Sequence, residues 1–238
     1  MKAVILAGGM GVRLRPFTFS IPKPLLPIGE KPILEVIINR LKKFGFGDFV
    51  LAIGYKSKMV QAYFGDGSEF GVRIKYLVEK KPSGTAGPLA QLRKKFRLKK
   101  EESVLLMNGD ILTKLNFAKM IACHRKNSLE ITVGIKDVRG QNAYGVVNIK
   151  NGMVKNVTEK PFTTHTVSTG IYIINASAIK EVPEGGFFTM PRLINRLVSA
   201  GRRVGAYHVK EFWRGMEEIQ HFEDIHSNKH FLNKLIEI

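Results

Sequence analysis

A glycine-rich loop that directly follows a short apolar strand constrains this chain more than any other feature. Residues 2–6 read KAVIL, an apolar run with β-branched members that predicts a buried strand. Gly8, Gly9 and Gly11 come next and free the backbone to adopt positive φ and to approach a ligand closely. Successive amide groups in such a loop form a nest that binds anions. The loop therefore predicts an anion site at the end of the first strand.

Fixed positive charge follows the glycines. Arg13, Arg15 and Lys23 lie within fifteen positions of Gly8. Backbone donors and cationic side chains then converge on one place, which favours phosphate over a plain tight surface turn.

The glycine-rich loop matches neither of two familiar phosphate-binding motifs. A dinucleotide-binding loop has Gly-x-Gly-x-x-Gly, but Leu14 occupies its third glycine position here. A Walker loop ends in Gly-Lys-Ser/Thr, which is absent from this stretch.

The first half of the chain alternates strand-like and helix-like patterns. Strands are predicted at residues 2–6, 49–53, 72–78 and 103–107, and helices at residues 32–44, 59–64 and 116–126. A strand–helix–strand order predicts parallel pairing through a right-handed crossover. Ligands in such sheets bind at the carboxyl ends of the strands.

The second half brings strands closer together. Residues 129–138, 145–149, 153–158 and 167–174 read as strands, and Asn151-Gly152 is a strong hairpin turn. We expect this half to extend the same sheet and its hairpin to cover the first half. A helix at 191–198 and a strand at 203–209 follow. The tail from Glu217 has helical spacing and is expected to pack on the body or on a second subunit.

Two further segments carry polar or small residues at strand ends. Ser83-Gly-Thr-Ala-Gly-Pro-Leu89 can hold a flat ring or a phosphate against bare backbone at a helix start. Asp110 follows the predicted strand at 103–107, where a carboxylate could hold Mg²⁺ or simply sit in a turn.

Composition narrows the classes of partner. The net charge is +18, but the basic residues are spread along the chain, and the densest run, residues 93–100, reads as a solvated, partly helical face. We therefore expect no specific nucleic-acid partner. One cysteine, Cys123, excludes intramolecular disulfides, and the longest apolar runs are too short for a membrane span. The expected location is cytoplasmic.

Together these motifs resemble the nucleotide-sugar pyrophosphorylases, which are sugar-1-phosphate nucleotidyltransferases. The most specific stretch is LAGGMGVRLRPFTFSIPKPLLPIGEKPILE at residues 6–35, and SGTAGPL, NGD, AYGVV, EKP and TGIY follow in the family's order. The motif text is most similar to the mannose-1-phosphate guanylyltransferase-like branch. GTP with a mannose-type or amino-sugar phosphate is therefore favoured, and the thymidylyl branch ranks second.

The resemblance implies a Rossmann-like, three-layer α/β/α fold of the GT-A-like type, with a mixed, mostly parallel sheet and an added antiparallel hairpin. It implies one domain over residues 1–238: a nucleotide half at about 1–115, a sugar half at about 116–215 and a helical tail at about 216–238. It also implies Mg²⁺ as cofactor and a nucleoside triphosphate and a sugar 1-phosphate as substrates. Whether the chain forms a homo-oligomer stays open.

The resemblance assigns roles to individual residues. Arg13 grips the departing phosphates, Lys23 contacts the sugar phosphate and Asp110 binds Mg²⁺. The implied nucleotide-binding residues are Leu6, Ala7, Gly8, Gly9, Gly11, Gly84, Thr85, Ala86 and Gly109. The implied sugar-binding residues are Tyr144, Gly145, Glu159, Lys160 and Gly170.

One departure from the family pattern bears on catalysis. The family carries Trp-x-Asp-x-Gly near its end, and its Asp is the second metal ligand, whereas Gly215 stands two positions after Trp213. Three interpretations stay open. Glu217 or Glu218 supplies the missing ligand, Mg²⁺ relies on Asp110, phosphates and water, or the chain binds nucleotide sugars with little turnover.

Overall fold

The computed structural model describes residues 1–96, 98–99 and 102–236. The strands there are β1 (Lys2–Ala7), β2 (Pro27–Ile28), β3 (Lys31–Pro32), β4 (Asp48–Ile53), β5 (Arg73–Val78), β6 (Ser103–Asn108), β7 (Ile111–Thr113), β8 (Ile131–Gln141), β9 (Val146–Lys150), β10 (Met153–Thr158), β11 (Phe162–Asn175), β12 (Val204–His208) and β13 (Trp213–Gly215). The helices are α1 (Phe17–Ser20), α2 (Ile33–Lys42), α3 (Ser57–Phe64), α4 (Gly87–Phe96), α5 (Phe117–Lys126), α6 (Ala176–Ile179), α7 (Met190–Ser199), α8 (Ile219–Ser227) and α9 (Lys229–Ile236).

One seven-stranded sheet, in the order β12-β8-β11-β6-β1-β4-β5, organises the molecule. β1 pairs in parallel with both β4 and β6, β4 with β5, and β12 with β8. β11 runs antiparallel between β6 and β8. The predicted mixed, mostly parallel sheet is confirmed, and strands from both halves of the chain belong to it.

The alternation of apolar residues in the central strands divides the core into two layers. In β1, Ala3 and Ile5 face one cluster, whereas Val4 between them faces the other. Successive strand residues point to opposite faces, so a strand that is apolar throughout needs cover on both. Helices α2, α5, α8 and α9 pack on the first face, and α4, α6 and α7 pack on the second. This is the predicted three-layer α/β/α arrangement.

The structure confirms some predicted element ends and corrects others, each for an identifiable reason. Asn116 caps α5 by accepting a hydrogen bond from the Lys119 amide at 3.1 Å, as the sequence predicts. Strand β11 begins at Phe162 rather than at residue 167, because its exposed first half pairs with β8 through to Gln141. The tail is helical, and Ile225, Leu232 and Leu235 are buried in the core of the same chain. Packing on the body is therefore confirmed.

The expectation that the hairpin covers the first half is wrong. β9 and β10 pair with each other around Asn151-Gly152, but they form a separate two-stranded sheet. All their residues are exposed except Val146, which is half-buried. A hairpin packed over a body would bury one face, so this hairpin projects from the molecule.

The basic run at residues 93–100 falls partly outside the described residues, namely at positions 97 and 100. Arg93, at its start, is not a free solvated cation. Its guanidinium donates to the Lys180 carbonyl at 2.9 Å and pairs with Glu184 at 3.1 Å. Among the helices described, none is both long and apolar enough to cross a membrane.

Candidate active site

A cleft of about 330 Å³ opens where β1 and β6 end, at the carboxyl edge of the parallel strands. This is the edge at which the sequence places the ligand site. Its lining is glycine-rich and includes both charged and apolar residues: Leu6, Ala7, Gly9, Gly11, Val12, Arg13, Lys23, Pro24, Thr85, Asn108, Gly109, Asp110 and Glu217. Ten of these thirteen residues are among the predicted site residues.

Close contacts account for two glycines of the first loop, Gly8 and Gly11, whereas a Cβ at Gly9 would meet no atom within 4 Å. A Cβ at Gly8 would lie 3.0 Å from the Glu79 carboxylate and 3.3 Å from the Gly54 nitrogen. Gly11 has φ of +61°, and a Cβ there would lie 2.9 Å from the Thr18 side chain. The loop can turn this tightly only without side chains at these positions. Gly8 lies behind the cleft, whereas Gly9 and Gly11 line it.

Neighbouring segments hold the loop from behind. The Thr18 hydroxyl donates to the Gly11 carbonyl at 2.9 Å, and Thr18 itself is buried. The Tyr55 amide donates to the Gly8 carbonyl at 3.2 Å, and the Tyr55 hydroxyl donates to the Thr18 carbonyl at 2.9 Å. These contacts preorganise the loop, so that its free amide groups are already oriented before a ligand arrives.

Lys23 and Asp110 form an ion pair inside the cleft. Both side chains are largely buried, with 15% and 23% of their surface exposed. Asp110 reaches this place because Gly109 packs on β1: the Gly109 amide donates to the Leu6 carbonyl at 2.8 Å, and a Cβ at Gly109 would lie 2.8 Å from that oxygen.

Arg13 and Glu217 form a second ion pair at the same cleft, with Nη1 and Oε2 2.7 Å apart. This pair is much more exposed, at 64% for Arg13 and 46% for Glu217. Two cations and two carboxylates therefore line the cleft as two pairs, one sheltered and one open to solvent.

The short strand β13 brings Glu217 to the cleft. It pairs antiparallel with β7, Gly215 lies opposite Ile111, and the Met216 amide donates to the Asp110 carbonyl at 2.7 Å. Trp213 anchors this strand by donating its indole N–H to the Thr169 carbonyl at 2.8 Å. Segments about a hundred positions apart in the chain thus meet beside Asp110.

The predicted base loop packs against the start of α7. Gly84 has φ of +80°, and a Cβ there would lie 2.5 Å from the Phe188 carbonyl oxygen. The Ala86 amide donates to that same carbonyl at 3.0 Å, and the Thr85 hydroxyl accepts from the Met190 amide at 2.8 Å. Thr85 lines the cleft, whereas Gly84 and the fully buried Ala86 support the loop from behind.

The predicted sugar residues divide into two groups. Gly170 lies in a register shift of β11, with φ of +71°, where a Cβ would lie 2.6 Å from the Asn108 side chain at the cleft. Such bulges re-aim a strand beside active sites. The second group, Tyr144, Gly145, Glu159 and Lys160, lies at the base of the projecting hairpin and outside the described lining of the cleft.

Sequence reasoning missed residues that carry no chemical signature of their own. Val12, Pro24 and Asn108 line the cleft, and Thr18 and Tyr55 support its loop. Asn108 could have been found from NGD, because it is the last residue of the strand and lies two positions before Asp110. Val12 and Pro24 are sequence neighbours of the predicted Arg13 and Lys23, whereas Thr18 and Tyr55 show their role only through their contacts.

The donor set fits a magnesium ion that is shared with a substrate. Mg²⁺ prefers oxygen ligands and is usually bound by one or two carboxylates together with phosphate oxygens and water. Asp110 and Glu217 both present carboxylates to the cleft. Among the residues that the structure describes, no group of three or more potential protein ligands could hold a metal by itself. Two carboxylates that face one cleft thus fit a magnesium ion that takes further oxygen ligands from phosphate and water.

A larger cleft of about 590 Å³ lies at the opposite edge of the sheet, where Lys2, Asp48 and Ser103 begin their strands. It is bordered by the buried His124, which contacts Asn175 at 2.8 Å. Parallel sheets bind ligands at their carboxyl ends, and the glycine loop with both cleft ion pairs lies there. The smaller cleft is therefore the candidate active site.

A family model described as nucleotidyl transferase matches residues 2–229. A mannose-1-phosphate guanylyltransferase from Mycobacterium tuberculosis is 32% identical over 222 residues, which cover 91% of this chain and 61% of that protein. Several other mannose-1-phosphate guanylyltransferases match over only about half of their own length. The chain thus spans about half to three fifths of these relatives.

A relative of more similar length is the D-glycero-alpha-D-manno-heptose 1-phosphate guanylyltransferase of Aneurinibacillus thermoaerophilus. It is 36% identical over 176 residues, covering 74% of this chain and 75% of that protein. Among solved structures, HddC from Yersinia pseudotuberculosis, complexed with GMP-PN, superposes with a TM-score of 0.73 at 22% identity. That superposition covers 94% of this chain and 97% of HddC, and it supports the fold.

Proposed function

Since the chain belongs to the nucleotidyl transferase family, we propose that it transfers a nucleotidyl group from a nucleoside triphosphate to a sugar 1-phosphate and releases pyrophosphate. The observation that carries this proposal is the convergence of the glycine loop, Arg13, Lys23 and Asp110 on one cleft. Each of these groups can bind phosphate or a phosphate-bound cation, and the described lining of the cleft contains no serine, cysteine or histidine that could form a nucleophile–base pair. The cleft therefore suits direct transfer between phosphates.

In the proposed reaction, an oxygen of the sugar phosphate attacks the α-phosphorus in line with departing pyrophosphate. The loop amides at Gly9 and Gly11 bind the triphosphate, Arg13 holds the phosphates that leave, and Lys23 orients the attacking phosphate. Mg²⁺, held by Asp110, would neutralise negative charge on the phosphates when bound. No covalent intermediate on the protein is needed, so the protein catalyses by positioning and electrostatics.

We infer that the base lies against the Gly84–Ala86 loop. Its packing on Phe188 and Met190 leaves Thr85 at the cleft and fixes the backbone beside it. Of the two base choices, GTP with a mannose-type or amino-sugar 1-phosphate is favoured. The names of the guanylyltransferase relatives, which specify mannose 1-phosphate and a manno-heptose 1-phosphate, support the mannose-type substrate, whereas the amino-sugar option depends on the sequence motifs. Tyr144, Gly145, Glu159, Lys160 and Gly170 are the proposed sugar contacts.

Because nucleoside triphosphates are the proposed substrates, the proposed compartment is the cytoplasm.

The test is pyrophosphate release from each of four nucleoside triphosphates, across a panel of sugar 1-phosphates, with and without Mg²⁺. We expect turnover that needs Mg²⁺ and is highest with GTP and a mannose-type phosphate. Turnover only with dTTP and glucose 1-phosphate would assign thymidylyl specificity instead. No turnover with any pair, together with measurable binding of a nucleotide sugar, would replace the enzyme with a regulatory homologue, a role that Gly215 makes the second candidate.

A further inference from the structure

The carboxylate of Glu217 occupies the space beside the position at which Gly215 lacks a side chain. A Cβ built on Gly215 would find its nearest neighbours all on Glu217, with Cγ and Oε1 both 3.5 Å away. Residues two apart on an extended segment point to the same side, so Glu217 reaches from the side to which a residue at 215 would point. The space is open enough that a longer side chain from position 217 fills it.

The backbone fixes this position from both sides. The Met216 amide is bonded to the Asp110 carbonyl at 2.7 Å, and the Glu217 amide donates to Nδ1 of His221 at 3.3 Å. Glu217 therefore lies one residue beyond a backbone contact with Asp110, and both carboxylates line the same cleft. Glu218, the next residue, is exposed and belongs to the start of α8 instead.

We propose that Glu217 is the second carboxylate for Mg²⁺ in this chain and that the two ion pairs of the cleft exchange partners when substrate binds. This rests on the proposed function. Without substrate, Glu217 neutralises Arg13 and Asp110 neutralises Lys23. With a magnesium–triphosphate, the two cations turn to phosphate oxygens and the two carboxylates are released to the metal.

The charges of both pairs and the exposure of the Arg13–Glu217 pair favour this exchange. A nucleoside triphosphate with one Mg²⁺ carries positive charge that matches two carboxylates and phosphate charge that matches two cations. The Arg13–Glu217 pair is about half exposed, and such pairs contribute little to stability, so phosphate can displace Glu217 at small cost. Glu217 thus has two opposite effects: it competes with phosphate for Arg13 and assists the metal.

The opposite effects give a test that does not depend on turnover. Binding of inorganic tripolyphosphate without metal is measured by calorimetry, and Mn²⁺ binding in the presence of tripolyphosphate is measured by electron paramagnetic resonance. In Glu217→Gln, we expect metal-free tripolyphosphate to bind about three- to tenfold more tightly, because one competing negative charge is gone. Mn²⁺ should bind at least about tenfold more weakly, because a ligand is lost.

Two further variants make the result specific. Glu218→Gln removes the same charge one residue along and should leave both affinities within about twofold of the parent. Gly215→Asp combined with Glu217→Ala should recover Mn²⁺ binding relative to Glu217→Ala alone, because truncation at position 217 empties the space beside position 215 and the added carboxylate can enter it. Weaker binding of both probes in Glu217→Gln would indicate a structural role and overturn the proposal, as would unchanged Mn²⁺ affinity.

The proposed function can fail separately. Opposite shifts of the two affinities in a protein that releases no pyrophosphate would support the partner exchange while refuting the transferase. Pyrophosphate release by a protein in which Glu217→Gln changes neither the tripolyphosphate affinity nor the Mn²⁺ affinity would support the transferase and refute the partner exchange.

Discussion

Individual glycines in this protein mark places where two backbone segments touch. Gly84 combines a φ of +80° with a carbonyl oxygen 2.5 Å from where a Cβ would be, whereas Gly45 has the same φ of +80° and open space around it. The two positions differ in contact but not in backbone conformation. They therefore separate the cost of left-handed φ from the cost of steric overlap.

We predict that Gly84→Ala lowers the free energy of unfolding by about 2–4 kcal/mol, since both strain and overlap must be relieved. Gly45→Ala should cost about 1 kcal/mol from conformation alone. Urea denaturation of the two variants measures the difference. Equal losses would mean that the base loop is free to move away from Phe188.

Asp110 is the residue on which the proposed chemistry depends most. Asp110→Ala removes the proposed metal ligand and also leaves Lys23 without its partner, so we predict that kcat/KM falls about 100-fold or more. Pyrophosphate release at saturating Mg²⁺ measures it. Asp66→Ala, at an exposed turn where Asp66 bonds Ser68, is the matched control and should keep full activity. Near-normal activity of the Asp110 variant would place the metal elsewhere.

At the scale of elements, a buried histidine joins α5 to the sheet. His124 is 2% exposed, with Nδ1 2.8 Å from the Thr132 hydroxyl and Nε2 2.8 Å from the Asn175 side-chain oxygen. The Asn175 amide nitrogen donates to the Leu129 carbonyl, which fixes the amide orientation. Both ring nitrogens are thus satisfied in the neutral form, in which Nε2 carries the proton.

Burial lowers the pKa of His124 below its ordinary value of 6.5. The unfolded chain then binds a proton more readily than the folded chain does, so stability is complete above about pH 6.5 and falls as the pH drops toward the folded-state pKa. We predict a decreasing unfolding free energy between pH 7 and 5 and a shallower decrease in His124→Gln. Thermal denaturation across this range measures it, and parallel slopes would contradict the assignment.

The hairpin β9–β10 is the least supported element of the molecule. Nearly all of its residues are exposed, and isolated two-stranded hairpins are marginally stable in water. We predict that amides of residues 146–158 exchange hydrogen at least about 100-fold faster than amides in β1 and β6, which are flanked by strands on both sides. Hydrogen-exchange mass spectrometry measures it. Slow exchange in the hairpin would show that a partner covers it.

The whole molecule carries a net charge of +18. Its basic residues are spread along the sequence and are not gathered in one long run. Some of its basic residues pair with carboxylates, Arg13, Lys23, Arg93 and Arg202 among them, and the sequence spreads the others along the chain. We predict only non-specific binding to duplex DNA, with Kd of about 10⁻⁶–10⁻⁴ M at physiological salt and rapid loss as salt rises. Fluorescence anisotropy with two unrelated sequences measures it. A strong preference for one sequence would contradict this prediction.

Two features of the whole molecule followed directly from the sequence. The continuous apolar run through Ala3, Val4 and Ile5 predicts a buried strand, because the hydrophobic pattern is a local property of the chain, and the structure covers this strand on both faces. The glycine loop and the carboxylate after β6 predict a phosphate site at the carboxyl edge, because topology places parallel strand ends together. The site roles themselves stay predictions.

Tertiary structure alone decided the rest. Gly84 meets Phe188, Arg13 pairs with Glu217, and the Met216 amide binds the Asp110 carbonyl across about a hundred positions of chain. No local pattern specifies such contacts, since they depend on how the whole sheet and its two helical layers pack. The hairpin was misjudged for the same reason: its strands could be recognised locally, but whether anything covers them is set by the rest of the fold.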